Sequence, residues 1–245
     1  MNNQEFDRMV SKAEGNYSKT LSSSTSSFSV LMRKVYTWMA FAMLITGVTA
    51  YGVATTPAFI EAIFTNRILF WGLIIAEFGL VFGISGMLNR ISLVTGTIMF
   101  IAYSVINGAL LSSIFLVYTL DSIGSVFFIT AGTFGAMAFI GYTTKKDLTG
   151  MGQIMFMALI GIIIATVVNM FVASSGLQMI ISYIGVLIFV GLTAYDSQKI
   201  KMMLSDRDYA DESAQKLALI GALTLYLDFI NLFIYLLRIF GSKRD

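Results

Sequence analysis

Seven apolar blocks dominate this chain of 245 residues and leave it few ways to fold. A helix needs about 20 predominantly apolar residues to cross a hydrocarbon core of roughly 30 Å. The blocks are continuously apolar rather than alternating, which favours helices over a membrane barrel. The sequence therefore predicts an all-α membrane protein, a seven-transmembrane-helix bundle. Its predicted spans are 35–55, 68–88, 92–118, 123–143, 152–174, 178–200 and 215–240.

The composition agrees with this fold class and excludes several kinds of site. Only 12% of the residues are charged, and a soluble domain usually carries roughly twice that fraction. The chain has no cysteine and no histidine, which excludes disulfides, thiolate and imidazole metal ligands, and imidazole bases. No organic cofactor is predicted, and nucleic-acid binding has no support.

The distribution of basic residues predicts how the chain is oriented in the membrane. Residues 1–32 are polar and serine-rich, and we expect a mostly disordered cytoplasmic tail ahead of a transmembrane domain at 33–245. Four of the 16 basic residues fall on the side away from this tail, Arg67, Arg238, Lys243 and Arg244. Because the cytoplasmic side carries the excess of Lys and Arg, the N-terminus is predicted to be cytoplasmic. The basic C-terminus leaves a six-helix or re-entrant arrangement as the alternative.

Small residues are frequent in the fourth and fifth spans, at Gly132, Gly135, Ala138, Gly161 and Ala165. Such residues let helix backbones approach closely. We therefore expect these positions to lie at tight helix crossings.

Three acidic residues fall inside predicted spans. Glu77 lies midway along the second, Asp196 near the inner end of the sixth, and Asp228 midway along the seventh. An aspartate at the centre of a membrane helix costs about 2.5 to 3.5 kcal/mol on insertion scales. These residues are therefore the first candidates for a functional site.

The seventh span also carries a stripe of polar side chains. Its members recur at steps of four, three, four and three residues, Thr224, Asp228, Asn231, Tyr235 and Arg238. This spacing places them on one face of a helix, so the seventh helix should be central with this face inside the protein. Two further spans carry buried polar residues that are predicted to form hydrogen bonds to other helices, Tyr103 and Asn107 on the third and Thr166 and Asn169 on the fifth.

The spacing of the last two spans allows Asp196 to meet Asp228 but does not establish the contact. Two carboxylates in contact at low dielectric cannot both ionise cheaply, so they would share one proton and respond to pH. Deprotonated, the pair would be a hard oxygen site suited to Ca²⁺ as a bound or transported ion. Arg90 is the predicted latch cation, meaning the positive charge that binds the ionised pair.

A second acidic cluster lies in the loop 205–212, with Asp206, Asp208, Asp211 and Glu212. It could bind Ca²⁺ weakly, but its ligand spacing is not that of an EF-hand loop. A solvated loop is the favoured interpretation.

Three segments resemble the Bax inhibitor-1 (transmembrane BAX inhibitor motif) family. Residues 223–238, LTLYLDFINLFIYLLR, resemble its seventh helix, and 194–200, AYDSQKI, the end of its sixth. Residues 142–148, YTTKKDL, look like its fourth-to-fifth junction. The order and lengths of the spans agree over roughly residues 30–240.

This resemblance implies a seven-helix bundle with a central last helix and a pH-sensitive Ca²⁺ leak. The family's two aspartates match Asp196 and Asp228, and Glu77 matches an acid of bacterial members. The family's latch arginine lies near the end of the second helix. In this sequence Arg90 lies a couple of residues after the corresponding position. Glu77, Asn169, Asn231 and Tyr235 are predicted to support the site. The compact chain without an organelle signal is expected in a bacterial inner membrane, with the bilayer, Ca²⁺ and protons as partners.

Two other functions stay open. Intramembrane aspartyl proteases also place two aspartates on adjacent helices, but residues 225–228, LYLD, lack their glycines, and Pro57 is the only proline. A stress-response scaffold without transport is the second. We expect a protein that is not an enzyme.

Overall fold

The computed structural model of the chain describes residues 3–88, 90–205 and 210–244, with side chains from residue 27 onward. Over these ranges the chain forms α1 (Asn3–Ala54), α2 (Pro57–Thr65), α3 (Arg67–Met87), α4 (Leu93–Leu111), α5 (Ile114–Val117), α6 (Leu120–Thr143), α7 (Thr149–Val172), α8 (Ser175–Ser205) and α9 (Glu212–Phe240).

Seven stretches of the described chain are long and apolar enough to cross a membrane, and they confirm the predicted bundle. They are Ser27–Ala54, Arg67–Met87, Leu93–Val117, Leu120–Thr143, Thr149–Val172, Ser175–Ser205 and Glu212–Phe240. The first stretch begins before the predicted residue 35, because α1 runs on from the segment that the sequence assigns to a disordered tail. The backbone of residues 3–32 is helical here, and a separate tail domain stays a prediction.

Polar side chains mark where the spanning helices begin. Asn66 accepts hydrogen bonds from the backbone nitrogens of Ile68 and Leu69 at the start of α3. Ser92 does the same for Thr95 at the start of α4, at 3.1 Å. These caps satisfy backbone N–H groups that have no partner inside the helix. The turn after α7 instead uses Ala173 in the left-handed region, at φ 51°.

Helix α9 is the centre of the bundle, as its polar stripe predicts. It packs closely on α8, α1, α6 and α4. Its apolar residues are among the most buried in the described chain, with Leu219, Leu225 and Leu232 fully inaccessible. By contrast α3 and α7 are mostly exposed along their spans. Their apolar surface faces the lipid, as expected for peripheral membrane helices.

The tight helix crossings are not at the glycines that the sequence indicates, and that prediction is wrong for three of them. A Cβ atom on Gly132, Gly135 or Gly161 would meet no described atom within 4 Å. Close approaches occur instead at Gly108 against the backbone of Thr46 and at Gly141 against the backbone of Ala194. The positions of small residues along one helix do not reveal which of them meets a neighbouring helix.

The C-terminal residues lie at the end of the bundle where α6 begins. Residues Tyr118 and Lys243 form an isolated antiparallel bridge, and the Ser242 nitrogen donates to Ser122 Oγ at 2.8 Å. Seven alternating spans put this end opposite the start of the first span. The six-helix alternative is therefore wrong for this structure.

The acidic cluster is only partly within the described residues. Asp206 and Asp208 lie outside them. Asp211 caps α9 by accepting from the Ala214 nitrogen at 2.8 Å, and Glu212 pairs with Lys216 at 3.1 Å. Glu212 also accepts from the Leu93 nitrogen at the start of α4, at 3.1 Å. These contacts give Asp211 and Glu212 a structural role.

Candidate functional site

The carboxyl groups of Asp196 on α8 and Asp228 on α9 are in hydrogen-bond contact. Both side chains are buried, with 9% and 4% of their surface exposed. The Asp228 Oδ2 atom is buried and has no hydrogen-bond partner within the described part of the chain. A hydrogen bond between two carboxyls needs a proton on one of them, so the geometry fits a pair that shares one proton.

The pair lies in the wall of a cavity of about 880 Å³ between α7, α8 and α9. The cavity exists because α7 packs closely on α8 and hardly on α9. Its polar lining includes four members of the predicted stripe, Thr224, Asp228, Asn231 and Tyr235, with Asp196, Tyr195, Lys199 and Gln153. The prediction that the stripe faces a protein interior is confirmed for these four residues.

The cation of this cavity is Lys199 rather than Arg90. Lys199 lines the cavity, and its charge acts on Asp196. Arg90 is exposed between α3 and α4 and is not among the described residues that line the cavity. The latch role of Arg90 stays a prediction. The signal for Lys199 was in the sequence, because residues three apart on a helix share a face.

Two of the three segments that resemble the family, residues 142–148 and 194–200, contact each other beside the site. Gln198 on α8 accepts from the Leu148 nitrogen at 2.9 Å and donates to the Lys146 carbonyl at 2.8 Å. These bonds hold the α6–α7 junction against the helix that carries Asp196. At the same junction, hydrogen bonds from the side chain and the backbone of Thr149 hold the pKa of the exposed Asp147 below its usual value.

Glu77 is not in this cavity and belongs to a second polar cluster on another side of α9. Asn107 donates from Nδ2 to Glu77 and accepts at Oδ1 from the Tyr226 hydroxyl at 3.1 Å. The Tyr226 hydroxyl also lies 2.6 Å from the Thr46 hydroxyl. The cluster therefore ties α3, α4, α9 and α1 together, and sequence spacing within single helices did not predict it.

We expect Asn107→Leu to destabilise the protein, because Glu77 and Tyr226 each lose a partner inside the bundle. Leaving a buried polar group without its partner costs about 1 to 3 kcal/mol. Thermal unfolding in detergent should show a lower Tm. Thr97→Val on the same helix is the control, since the only side-chain hydrogen bond of Thr97 among the described residues goes to the Leu93 carbonyl, one turn before it. Equal Tm values for the two variants would contradict the prediction.

Asn169 also lies away from the Asp196–Asp228 pair. Its Oδ1 accepts from the Ser174 nitrogen at 3.1 Å, and its Nδ2 donates to Gln178 at 3.2 Å. It thereby closes the turn between α7 and α8, which is a structural role. Within the described residues there is no group of three or more acidic side chains that could hold a metal ion. Any cation beside the pair would therefore rely on two carboxylates.

Comparison with known proteins adds an independent line of argument. The family model described as inhibitor of apoptosis-promoting Bax1 matches residues 29–245. The inner membrane protein YbhL of Escherichia coli strain K12 is 51% identical over 214 residues, which cover 87% of this chain and 92% of YbhL. A protein of Borreliella burgdorferi is 49% identical over 214 residues, with the same two shares of coverage. A membrane protein of Streptococcus pyogenes serotype M6 is 40% identical over 184 residues, which cover 75% of this chain and 79% of the relative.

The family match extends over nearly all of the seven-span bundle, and its range contains the positions of the buried pair. From its fold and these similarities, the chain belongs to the Bax inhibitor-1 family of membrane proteins.

Proposed function

We propose that this protein is a pH-sensitive calcium leak channel or transporter, gated by the Asp196–Asp228 pair. The contact between two buried carboxyls on adjacent helices is the observation that carries this proposal. Because ionising both groups at low dielectric is costly, the number of protons on the pair depends on pH. A change in that number alters the charge in the cavity wall, which is the quantity that an ion entering the cavity senses.

The chemistry of the lining favours a hard cation. Carboxylate, amide and hydroxyl oxygens are the ligands that Ca²⁺ prefers, at six to eight per ion. Asp196 and Asp228 supply the carboxylates, and the lining of Thr224 and Asn231 supplies a hydroxyl and an amide. Two carboxylates without a third acid are too few for tight binding, and this supports passage of the ion rather than storage.

The membrane and the orientation are also part of the proposal. YbhL is named an inner membrane protein, and we infer the same bacterial membrane for this chain. The excess of Lys and Arg on the side of the N-terminus supports a cytoplasmic N-terminus. Helix α8 then descends to the cytoplasm, and the pair lies toward the cytoplasmic half of the bundle. Beyond lipid, Ca²⁺ and protons, no protein partner is proposed.

Reconstitution of the pure protein tests the proposal against its two alternatives. Vesicles carrying a Ca²⁺ indicator should show flux that changes with external pH. A scaffold without transport would show no flux above protein-free vesicles at any pH. An intramembrane aspartyl protease would cleave a labelled transmembrane peptide, whereas we propose no catalysis. Cleavage without flux would overturn the proposed function.

Replacing Lys199 by Gln should move the pH profile of the flux without abolishing it. The ammonium group of Lys199 acts on Asp196 and favours the ionised pair, so its removal makes ionisation harder. The midpoint of the profile should therefore shift to higher pH by a few tenths of a unit, roughly the effect of an exposed ion pair. Lys145→Gln removes an exposed charge outside the cavity and should leave the midpoint unchanged. A shift to lower pH would contradict the role assigned to Lys199.

A further inference from the structure

A groove of about 600 Å³ separates α1 from α6 on the outer surface of the bundle. Both helices pack on α9 but hardly on each other, so the floor of the groove includes Phe229 of α9. Along α1 the groove extends from Met32 to Met43. That distance is about 16 Å at 1.5 Å per residue, which is about half of a hydrocarbon core. The groove is therefore as long as one leaflet of the bilayer.

The polarity of the groove changes from one end to the other. Its polar side chains are Arg33, Tyr36 and Tyr142, and all three lie at the end near the start of the first span. The rest of the lining is apolar, with Met39, Ala40, Met43, Phe134, Gly135 and Phe139 among its members. A charged end joined to an apolar channel one leaflet long matches the shape and polarity of a phospholipid.

Arg33 is available to a ligand. Its side chain is exposed and forms neither a hydrogen bond nor an ion pair with any group in the described ranges. The neighbouring Lys34 differs, since its ammonium group donates to Gln215 Oε1 at 2.6 Å. Guanidinium groups bind phosphate oxygens with two parallel hydrogen bonds, and basic pockets between membrane helices bind anionic head groups. A zwitterionic head group offsets its phosphate with its own cation, so a basic residue at the end of the groove favours an anionic phospholipid.

We propose that this groove binds one anionic phospholipid, with the phosphate on Arg33 and an acyl chain between Ala40 and Gly135. Gly135 faces open space in the groove, because a Cβ atom there would meet no described atom within 4 Å. The bound chain lies on Phe229, next to Asp228 in sequence. The site is independent of the proposed transport, because it is defined by lipid retention rather than by flux.

Lipid retention by matched variants tests the proposal. Protein from vesicles of equal phosphatidylglycerol and phosphatidylcholine is extracted in mild detergent, and the bound lipid is measured by mass spectrometry. The wild type should retain about fivefold more phosphatidylglycerol than phosphatidylcholine. This ratio corresponds to the contribution of one basic side chain near a membrane surface. Arg33→Gln should remove that preference, and Gly135→Leu should reduce the total lipid retained.

Two controls separate the groove from general effects. Gly132→Leu alters a glycine of the same helix that has equal space around it but does not line the groove, and it should retain lipid as the wild type does. Arg67→Gln removes the same charge at the other end of the bundle and should keep the preference. Retention without preference in the wild type would overturn the proposal, and so would an equal loss in Arg33→Gln and Arg67→Gln. The chain has no native cysteine, so a disulfide-linked dimer of Gly135→Cys protein, formed with an added thiol oxidant, would assign the groove to a second copy and overturn the proposal as well.

Discussion

In Asp228→Asn protein the flux of Ca²⁺ should no longer depend on pH. An amide beside one carboxylate carries the same charge as the wild-type pair with a single shared proton. Over the pH range in which the wild-type pair passes from one shared proton to none, the variant should therefore keep the flux of the one-proton state. The wild type should change between about pH 5 and about pH 8, the range that a carboxyl pair at low dielectric can reach.

Asp196→Asn should behave in the same way, because the proton belongs to the pair rather than to one residue. Asp121→Asn is the matched control, since Asp121 is exposed at the start of α6 and should leave the profile unchanged. The measurement is the initial rate of Ca²⁺ entry into vesicles that hold equal amounts of folded protein. If both variants keep the wild-type pH profile, the pair is not the sensor and the proposed gating is wrong.

Gly141→Val should be the most destabilising substitution at a helix crossing beside the site. A Cβ atom at Gly141 would overlap the carbonyl group of Ala194 on α8, which is backbone and cannot rotate away. The two helices would have to separate, and overpacking of this kind costs about 1 to 3 kcal/mol or more. Since Ala194 precedes Asp196 by two residues, the displacement should also disturb the carboxyl contact.

The test compares thermal unfolding of Gly141→Val and Gly132→Val in the same detergent. Both glycines are on α6, but the second has no described atom within 4 Å of an added Cβ. Gly132→Val should therefore unfold close to the wild-type Tm. If Gly141→Val does not fold at all, Gly141→Ala provides a milder version of the same clash. Equal Tm values for Gly141→Ala and Gly132→Ala would show that the crossing tolerates a side chain.

The second polar cluster shows why an acid within an apolar span does not by itself identify a gate. Glu77 stands out in the sequence as clearly as Asp196 does, since each is an acid within an apolar span. In the structure Glu77 contacts Asn107, whereas Asp196 contacts another acid. An acid beside an amide has a partner that does not titrate, while two acids in contact compete for one proton. The difference in expected pH response therefore comes from the partner.

The sequence by itself determined the seven spans and the central position of α9. Hydrophobic length and the 3.6-residue period are properties of single segments, so they can be read without knowing which helices touch. This reading placed Thr224, Asp228, Asn231 and Tyr235 on one interior face, and these residues line one cavity in the structure.

Only the tertiary structure decided which residues from different helices meet. It brought Asp196 against Asp228, placed Lys199 rather than Arg90 at the cavity, and put the close crossing at Gly141 instead of Gly132. Each of these contacts depends on the tilt and rotation of two helices. Packing against neighbouring helices sets both, and the sequence of one span does not contain that information.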